Sequence, residues 1–570
     1  MALRKGASFR HGGCVVQGRS RLLSLSLVVG LALIALNPLP DSPSATAGGA
    51  RPTQDPALRR LAEDLDRILS DRRLEGAQAG VVVRAASTGE LLYSRNADVR
   101  LLPASNEKLL SAFAALEVLG PSYRFKTGAL ADGAQQGEAL KGDLYLKGTG
   151  DPTMLAADYR ELAAKVAATG IRIVEGGLVA DDMWFDDVRL GPDWAWDDEP
   201  YAYGAQVSAL TVSADEDFDA GSVIVDVAPG EAPGRPARVA LTPATDYLTV
   251  LDRAVTVEAG ATPSVAVDRS HGANTLVVTG TVPLGAAAIR SARSVWDPTG
   301  YAAAIFRDAL LEHGVRVSGP TSRAAAPETS RELAHRESIP LSRLLVPFLK
   351  LSNNGHAEIL VKAMGRHVHG AGTWDAGLRA VSERLAAEAG LAAPALRARD
   401  GSGLSRANLV APGQLSALLL AAQDEEWFSL WYDALPIAGE ADRLAGGTLR
   451  SRMKDTAAAG NVHAKTGTLT SVTALSGYVT GTDGERMVFS IMLNNYLSPA
   501  PKDLEDAIAV TLAGLSRAGP PARRSASVNT RGDAGPRNDL AGRGAPSSMR
   551  LDSSRSFDAS TVECSWVQAC

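Results

Sequence analysis

Apolar positions near both ends of the main part of the chain predict helices and hairpins. In residues 55–74, leucine and isoleucine recur at helical spacing, which predicts an amphipathic helix with a charged outer side. Apolar runs in GVVVRAAS and GELLYSRN predict a first hairpin, and TALSGYV and MVFSIMLNN, within 473–495, predict a second. A final helix is expected over about 502–515. These patterns favour one antiparallel sheet that both ends help to build, with the middle of the chain inserted.

The middle of the chain has a different pattern. From about 124 to 324, short β-branched runs are separated by Gly, Pro and Asp, which is typical of β-rich domains. Helical patterning returns at about 340, in LSRLLVPFLKLS, HAEILVKAMGR, AGLRAVSERLAAEAG and PGQLSALLLAAQ. We therefore predict one domain formed by 54–124 and 326–517, with β-rich domains inserted over 125–325.

The two termini are predicted to lie outside the folded part. An apolar run over 22–36 follows several basic residues and precedes a small-residue site at Ala45-Thr46-Ala47, which predicts a signal peptide over 1–47. An uncleaved anchor is the alternative, although the run is short for a bilayer span. Residues 518–570 lack hydrophobic periodicity and are predicted to form a disordered tail.

Charge and cysteine content narrow the function classes. The net charge of the 570-residue chain is −6, and both termini are basic, so the part between them is acidic and has no basic stripe for nucleic acid. The three cysteines, Cys14, Cys564 and Cys570, all lie in the predicted signal peptide or tail. This excludes a Cys nucleophile, a thiolate zinc site and a disulfide framework between them. With no Cys at the cleavage site to receive a lipid, we expect an extracytoplasmic protein (secreted, cell wall or periplasm) without a transmembrane segment after signal cleavage.

Three short motifs could carry chemistry. They are Ser105-Asn106-Glu107-Lys108, Ser352-Asn353-Asn354 and Lys465-Thr466-Gly467-Thr468. Further SxxK and KTG matches start at Ser451 and Lys126, so context must choose between them. Ser105 opens the helical run KLLSAFAALEVLG, whereas Ser451 has no such helix behind it. Lys465 begins a strand that leads into the last hairpin, whereas Lys126 lies where the insertion starts.

The chemistry that these residues allow is acyl transfer. A serine hydroxyl is a poor nucleophile at neutral pH and needs an adjacent base. Lys108 lies one helical turn after Ser105 and on the same face, within reach of the hydroxyl. The helix start also favours a developing negative charge at Ser105. The chain has no GxSxG elbow, which argues against an ordinary α/β-hydrolase site.

The other two motifs supply the remaining groups of such a site. Ser352 and Lys465 are predicted to pass a proton to the leaving amine, and Asn354 to donate to the substrate amide. The backbone amides of Ser105 and Thr468 are predicted to form the oxyanion hole. Thr466 and Gly467 complete the predicted substrate-binding strand.

The ordered SxxK, SxN and KTG set resembles that of the penicillin-recognising serine enzymes. More specifically, the chain is similar to the class C low-molecular-mass penicillin-binding proteins, the D-alanyl-D-alanine carboxypeptidase/endopeptidase family. The matching segments, over about 55–515, are PASNEKLL, GDLYLKGTGDPT, WAWDD with YGAQVSALTV, LSNNGHAEIL, DGSGLSRANLVAP, HAKTGTL and LSGYV. The long separation of Ser105 from Ser352 also suits this family, in which two domains are inserted between the first two motifs.

The resemblance implies both fold and activity. The fold would be α/β (α+β), a penicillin-binding transpeptidase/β-lactamase-like antiparallel sheet with helices on both faces, interrupted by inserted β-rich domains. The activity would be a serine-type D-Ala-D-Ala carboxypeptidase, with DD-endopeptidase activity as a further option. It would act on peptidoglycan stem peptides through an acyl-enzyme, without cofactor or metal, and β-lactams would be covalent inhibitors.

The family also suggests a subsite for the substrate side chain. In members that act on diaminopimelate-containing stems, an Asp after a WxW-like stretch and an Arg in the DGSGLSR segment hold the zwitterionic end of that side chain. The matching positions are Asp198, with Tyr203 five residues on, and Arg406. The alternative is a salt bridge between domains, because Asp197 is an equally acidic neighbour.

Other functions and other sites remain as alternatives. A β-lactamase or esterase could use the same core, but Asn353 departs from the S-D-N form, and no counterpart is found of the Glu that activates deacylating water. An acyl-enzyme formed with penicillin should therefore persist. A penicillin-binding sensor or scaffold would have to couple to the cytoplasm, and no membrane segment follows residue 47.

Several polar clusters have a simpler interpretation than a site. His367 and His369 are expected in a surface turn and not at a metal. The acidic run with Asp215, Asp217 and Asp219 is expected to be a solvated loop and not a calcium site, because Ala220 replaces the required Gly. His356 and His463 flank the second and third motifs and are expected to be satisfied polar groups beside the cleft.

Overall fold

The computed structural model describes residues 55–392 and 396–517. The predicted signal peptide with Cys14, and the predicted tail with Cys564 and Cys570, lie outside the described residues. Within those two ranges, none of the helices combines the length and apolar character that crossing a membrane requires.

The described residues contain eleven α-helices and twenty-two strands, named here in chain order. The helices are α1 Pro56–Ile68, α2 Glu107–Leu119, α3 Ala156–Ala168, α4 Pro298–Glu312, α5 Leu341–Lys350, α6 Asn354–His369, α7 Trp374–Glu388, α8 Pro412–Ala421, α9 Phe428–Ala434, α10 Arg443–Gly446 and α11 Lys502–Ala513. The strands are β1 Gln78–Ala85, β2 Leu91–Arg95, β3 Lys126–Ala131, β4 Gln135–Gln136, β5 Ala139–Leu140, β6 Leu144–Gly148, β7 Ile173–Val174, β8 Leu178–Asp181, β9 Ser222–Ala228, β10 Arg238–Thr242, β11 Thr249–Asp252, β12 Val255–Val257, β13 Ala266–Arg269, β14 Thr275–Thr279, β15 Thr281–Pro283, β16 Ile289–Ser294, β17 Arg316–Val317, β18 Thr321–Arg323, β19 Arg331–Glu337, β20 His463–Leu469, β21 Val472–Thr480 and β22 Arg486–Asn494.

A five-stranded antiparallel sheet joins the two ends of the described chain. Its strand order is β2-β1-β22-β21-β20, so β1 pairs with β2 on one side and with β22 on the other. Both predicted hairpins are present, and β20, which carries the third motif, is an edge strand. The prediction that both ends build one antiparallel sheet is confirmed.

Helices cover both faces of this sheet. One face packs on α1 and α11, where Leu65 and Ile508 meet Phe489 in one buried cluster. The other face packs on α8, where Leu419 belongs to the same buried cluster as Val488. Adjacent positions 488 and 489 thus belong to opposite layers, as the period-two alternation of a strand requires.

The first helix is shorter than the pattern predicted. Asp55 caps it, with its side chain accepting a hydrogen bond from Ala57 N (2.8 Å). The helix ends at Ile68, and Arg72–Leu74 form a separate 3₁₀ turn. Asp71 causes the break, because its side chain caps that second turn by accepting from Arg73 N (2.9 Å).

Between β3 and β18 the chain builds several small sheets and a core of its own. The strand orders are β10-β9-β16, β11-β14-β13, β12-β15 and β17-β7-β5-β4, and β19 completes the sheet β18-β8-β6-β3-β19. Helices α3 and α4, which the strand-like pattern did not predict, pack together in a cluster with Tyr159 and Phe306. Although β19 follows position 325, it pairs with β3. The division into domains stays a prediction.

The helices predicted after position 340 are present as α5 to α8. One interpretation in this part is wrong: His367 and His369 lie in the last turn of α6, which ends at Gly370 with φ 72°, and not in a surface turn. Residues two apart on a helix point in different directions, so this pair cannot share a metal ion. Among residues 55–392 and 396–517, no three His, Cys, Asp or Glu side chains are gathered in a way that could hold a metal ion.

Candidate active site

Ser105 lies in a strained turn directly before α2. The turn is one 3₁₀ segment, Ala104–Asn106, and Ala104 adopts a left-handed φ of 46°. Leu102, two residues before this turn, is held by the central sheet, because Leu102 N donates to Asn494 Oδ1 (2.8 Å) and Asn494 Nδ2 donates back to Leu102 O (3.2 Å). Strand β22 therefore fixes the position of the Ser105 hydroxyl.

Lys108 is buried one turn after Ser105 and makes three hydrogen bonds. Its Nζ donates to Ser105 Oγ (2.9 Å), to Asn354 Oδ1 (2.6 Å) and to the Ser402 carbonyl (2.8 Å). All three acceptors are neutral groups. The first and second motifs thus meet at this amine, as an acyl-transfer site requires.

The second and third motifs meet in the same way. Ser352 has a left-handed φ of 61° at the turn between α5 and α6. Its Oγ accepts a hydrogen bond from the buried Nζ of Lys465 (2.8 Å), which also donates to the Thr466 carbonyl (2.8 Å). Asn354 Nδ2 donates to the Tyr203 carbonyl (2.9 Å), so the side chain orientation of Asn354 is set from both ends.

Gly467 allows β20 to approach the turn that carries Ser105. A Cβ at Gly467 would lie 2.9 Å from the Pro103 carbonyl oxygen and 3.0 Å from Ser105 N. Any side chain would force the strand away, since real Cβ atoms rarely approach backbone atoms so closely. Glycine at this position thus keeps the Thr468 end of the strand beside Ser105.

The structure assembles the residues of all three motifs, whereas the competing copies lie elsewhere. Ser451 is in a turn region, and its neighbour Arg452 pairs with Glu505 (2.9 Å). Lys126 begins β3 and pairs with Glu332 (2.8 Å). Arg452 and Lys126 thus pair with carboxylates outside the three motifs, and the catalytic roles of the assembled residues stay predictions.

Two buried carboxyl groups, missed in the sequence analysis, support the loop that contacts Lys108. Glu358 accepts from the backbone amides of Gly401 (3.0 Å) and Ser402 (2.8 Å) and from Trp374 Nε1 (2.8 Å). Burial and the nearby Asp400 carboxyl raise the pKa of Glu358. The sequence spacing could have indicated that Glu358 lies near the site, because it follows Asn354 by four residues and shares its face of α6.

Asp400 organises the same loop from inside. Its carboxyl accepts from Gly403 N (2.9 Å), Ser405 N (2.6 Å) and Asn408 Nδ2 (2.8 Å). Beside it, burial raises the pKa of Glu107 well above its usual value, with Asp400 and Glu358 acting in the same direction. The carboxyl groups of Glu107, Glu358 and Asp400 therefore lie close together beneath Lys108, at the bottom of the site.

A cavity of about 900 Å³ opens next to the third motif. Asp198, Tyr203 and Arg406 all line it, together with Thr468. Tyr203 OH donates to Asp198 Oδ1 (2.8 Å), and Arg406 donates to the Thr470 carbonyl (3.2 Å). Burial raises the pKa of Asp198, whereas the charge of Arg406 and the Tyr203 hydrogen bond lower it. A carboxylate and a guanidinium thus face one cavity beside the candidate nucleophile.

The acidic run is not a solvated loop, so this expectation is wrong. Asp217 forms an ion pair with Arg443, and Asp219 accepts a hydrogen bond from Asn353 Nδ2 (2.7 Å). Burial, with Asp217 and Asp215 adding to it, raises the pKa of Asp219 to about 8. The run lies against the second motif because these two contacts hold it there.

The two histidines beside the motifs do not form a Ser/His pair. His356 is buried, donates from Nε2 to the Phe218 carbonyl (2.8 Å), and leaves Nδ1 without a partner among the described residues. Burial lowers its pKa to about 4. His463 stacks on Tyr432 at 4.0 Å between ring centroids, and burial lowers its pKa as well.

Comparisons with known proteins agree with this geometry. A D-alanyl-D-alanine carboxypeptidase of Actinomadura sp. (strain R39) is 45% identical over 557 residues, covering 97% of each chain. The carboxypeptidase DacB of Haemophilus influenzae is 27% identical over 431 residues, 75% of this chain and 88% of that one. The crystal structure of penicillin binding protein 4 (dacB) from Haemophilus influenzae superposes with a TM-score of 0.68 at 26% identity, covering 79% of this chain and 98% of that chain.

The family model gives the same result. That of the D-Ala-D-Ala carboxypeptidase 3 (S13) family matches residues 61–515, a range that contains all three motifs and nearly all described residues. The fold class implied by the resemblance is confirmed by the superposition. Because the match extends over the whole sheet, the insertion and the site, the chain belongs to the D-Ala-D-Ala carboxypeptidase 3 (S13) family.

Proposed function

We propose that the protein is a serine-type D-Ala-D-Ala carboxypeptidase that acts on peptidoglycan stem peptides with Ser105 as nucleophile. The observation that carries this proposal is the 2.9 Å hydrogen bond between Lys108 Nζ and Ser105 Oγ. It places a base next to a hydroxyl in a turn that the central sheet holds rigid. No cofactor or metal takes part in the proposed reaction.

Acylation begins when the neutral amine of Lys108 takes the proton from the Ser105 hydroxyl. Ser105 Oγ then attacks the carbonyl carbon of the penultimate D-alanine. As the C–N bond breaks, the departing nitrogen takes a proton from Ser352, which Lys465 resupplies across their 2.8 Å hydrogen bond. Water later attacks the ester and gives one of its protons to Lys465, which lost one during acylation. Lys108 returns its extra proton to Ser105 Oγ as the ester C–O bond breaks and the shortened peptide leaves.

The oxyanion is stabilised by the backbone amides of Ser105 and Thr468. The close approach that Gly467 permits supports this assignment, since it brings the two backbone segments together. Loss of one such donor typically costs about 3 to 4 kcal/mol of transition-state stabilisation.

The substrate peptide lies along the outer edge of β20 from Thr466 onward, because Pro436 and Ile437 already pair with the start of the strand. This strand pairs only with β21 in its sheet among the described residues, and Thr468, Leu469 and Thr470 line the cavity. An extended peptide can add to such an edge by main-chain hydrogen bonds. Asn354 donates to the peptide amide, and Thr466 and Gly467 lie along the same path.

The side chain of the stem peptide enters the cavity of Asp198, Tyr203 and Arg406. A carboxylate for an ammonium and a guanidinium for a carboxylate is the pairing that a free amino-acid end requires. Arg406 acts on Asp198 through its charge but donates to Thr470 O, which favours a ligand pocket over a salt bridge between domains. The substrate class is therefore a stem with a zwitterionic side chain.

The predicted signal peptide over 1–47 and this substrate support an extracytoplasmic location, and β-lactams are expected to acylate Ser105. A second structure of the Haemophilus influenzae protein, solved with a β-lactam, superposes with a TM-score of 0.63, which supports that expectation.

Labelled penicillin tests the nucleophile directly. Ser105→Ala should abolish covalent labelling because the attacking oxygen is gone, whereas Ser451→Ala, in the competing SxxK copy, should label like the wild type. Peptide mapping of the labelled protein should locate the adduct on Ser105. Labelling that survives Ser105→Ala would refute the assignment.

The released products distinguish the activities. Mass spectrometry of muropeptides incubated with the enzyme should show loss of one D-alanine from monomers. Conversion of cross-linked dimers to monomers would add endopeptidase activity, and rapid turnover of penicillin would instead indicate a β-lactamase.

A further inference from the structure

The middle residue of the second motif faces away from the reacting groups. Asn353 Oδ1 accepts from His356 N (3.1 Å) and so caps α6, while Nδ2 donates to Asp219 Oδ1 (2.7 Å) and to the Phe218 carbonyl (3.2 Å). Its neighbours on either side, Ser352 and Asn354, contact the two catalytic lysines. One turn therefore connects the site to residues 215–219, called here the acidic loop.

The acidic loop is held by more than this one contact. Phe218 has a left-handed φ of 59°, and its carbonyl also accepts from His356 Nε2 (2.8 Å). Ser222 Oγ donates to the Asp219 carbonyl (2.6 Å), and Asp217 is paired with Arg443 at the start of α10. The loop thus presents the Asp219 carboxyl to Asn353 in a defined position.

The chemistry of this contact explains why residue 353 is an amide. Asp219 is partly buried among Asp215 and Asp217, and Arg443 is the cation that offsets them. An amide at 353 supplies the donor that this carboxyl needs. An acid at 353 would cap α6 equally well but would set two carboxyl groups against each other.

The backbone of the second motif is strained, so its turn depends on the contact between Asn353 and the acidic loop. Ser352 adopts a left-handed conformation that is unfavourable for residues with a Cβ, so the surrounding contacts must hold it. Without them the turn would relax, and the Ser352 hydroxyl would move relative to Lys465. The contact between Asn353 and the acidic loop holds the turn on the side that faces away from Lys465.

We propose that Asp219 is a positioning residue, which holds the turn of the second motif through Asn353. The inference rests on the proposed function, because the position of this turn matters only if the three motifs carry acylation. Asp219 does not line the cavity described above and acts on the reaction through Asn353.

A charge-swap cycle tests this proposal with labelled penicillin in rapid-mixing experiments. All variants are assayed at pH 9, above the raised pKa of Asp219, so that its carboxyl is ionised. Asn353→Asp should then lower the second-order acylation rate constant at least about tenfold, since a part-buried hydrogen bond becomes a repulsion between two carboxylates. Asp219→Asn should lower it less than about threefold, because the amide oxygen still accepts. The double variant should recover at least half of the loss on a logarithmic scale, since the amide at 219 then donates to the carboxylate at 353.

A second set of variants tests the same contact without introducing a charge at position 353. Asp219→Ala removes the acceptor and should slow acylation several-fold more than Asp219→Asn, so that the conservative variant preserves function. Asp151→Asn is the matched control, because Asp151 is also a buried carboxyl that accepts a side-chain hydrogen bond, from Arg336 (2.6 Å), but lies outside the acidic loop and the three motifs. It should lower the unfolding temperature and leave the acylation rate constant unchanged.

The labelled fraction and the acylation rate constant together distinguish a positioning role of Asp219 from a purely structural role. A purely structural role would reduce the labelled fraction and the unfolding temperature, with a wild-type rate constant for the molecules that do react. Wild-type rates in Asn353→Asp or in Asp219→Ala, or a double variant no faster than Asn353→Asp, would overturn the proposal. Labelling of Ser105→Ala would instead refute the proposed function and is measured independently of these variants.

Discussion

Lys108 makes its three hydrogen bonds to residues from three separate parts of the chain. Ser105 lies in the turn directly before the helix that carries Lys108, Asn354 begins α6, and Ser402 belongs to the loop before α8. At the scale of residues, the site therefore contains short contacts from Lys108 to neutral acceptors on these segments. The removal of a partner that orients one of these acceptors should act on the reaction without removing any reacting group.

Glu358 is the clearest example of such an orienting partner. Its carboxyl accepts hydrogen bonds from the amides of Gly401 and Ser402, and the Ser402 carbonyl accepts from Lys108. Glu358→Gln keeps the size of the side chain but turns one acceptor into a donor opposite a backbone N–H. The loss should be about 1.5 to 3 kcal/mol in the acylation step. It should appear in the acylation rate constant and leave the affinity for penicillin nearly unchanged.

The control for Glu358 is Glu505→Gln. Glu505 is also a buried glutamate, but it is bonded to Arg452 on the far side of the sheet. This variant should lower stability and leave the acylation rate of the folded fraction unchanged. If both variants behave alike, Glu358 has only a structural role.

The cavity residues predict a separation of two substrates. Asp198→Ala and Arg406→Ala should each lower kcat/KM for a diaminopimelate-bearing peptide by about 2 kcal/mol or more of transition-state binding, because each leaves a charge of the peptide unpaired. Acylation by penicillin, which lacks that side chain, should change little. Steady-state kinetics with both substrates measures the difference, and equal losses would contradict the pocket.

At the scale of elements, the site depends on how closely β20 approaches the turn before α2. The strand is at the sheet edge, and glycine at 467 makes the contact possible. Helix α6 acts in a similar way, since one end of it supplies Asn354 and its next turn supplies Glu358. Element packing thus brings into contact groups that lie hundreds of residues apart.

Gly467→Ala should separate these elements. Its Cβ would meet backbone atoms at about 3 Å, so β20 must shift and carry the Thr468 amide away from Ser105. We expect at least about a hundredfold slower acylation, the order of effect seen when an oxyanion donor is lost. Gly514→Ala, at the end of α11 where the nearest atoms are 3.6 Å away, should acylate normally. A normal rate in Gly467→Ala would show that the strand does not need this approach.

At the scale of the whole molecule, the insertion and the sheet are joined at charged and polar contacts beside the site. The acidic loop follows β8 and precedes β9, yet it contacts α6 and α10. Part of the stability of the fold therefore depends on the ionisation of this loop.

The dependence of stability on the ionisation of the acidic loop can be measured through Asp219. Burial raises its folded pKa to about 8 from the ordinary value of about 3.8, with Asp217 and Asp215 also raising it and Arg443 lowering it. A raised carboxyl pKa means that the folded state holds the proton more tightly, so this contribution to stability is present below about pH 4 and is lost as the pH rises to about 8. Asp219→Asn should show a smaller fall in the free energy of unfolding between pH 5 and pH 8, measured by denaturant titration. An unchanged slope would place the pKa of Asp219 elsewhere.

The sequence by itself determined the periodic elements and the order of the three motifs. The two hairpins, the helices after 340 and the helix behind Ser105 follow from local patterns, because apolar alternation and helical spacing reflect which face is buried. The position of Ser105 relative to Lys108 is also local, since both lie on one helical turn. The predicted helix over 55–74 extends past the observed end of α1, because Asp71 caps a separate turn there.

Tertiary structure alone decided which distant groups meet. Helices α3 and α4 were missed because they lie between many short strands, and β19 joins β3 across the boundary drawn at 325. The contacts of Glu358 with the loop at 401–402, and of Asp219 with Asn353, join residues far apart in sequence. No local pattern encodes them, because a buried carboxyl becomes favourable only when the fold surrounds it with donors.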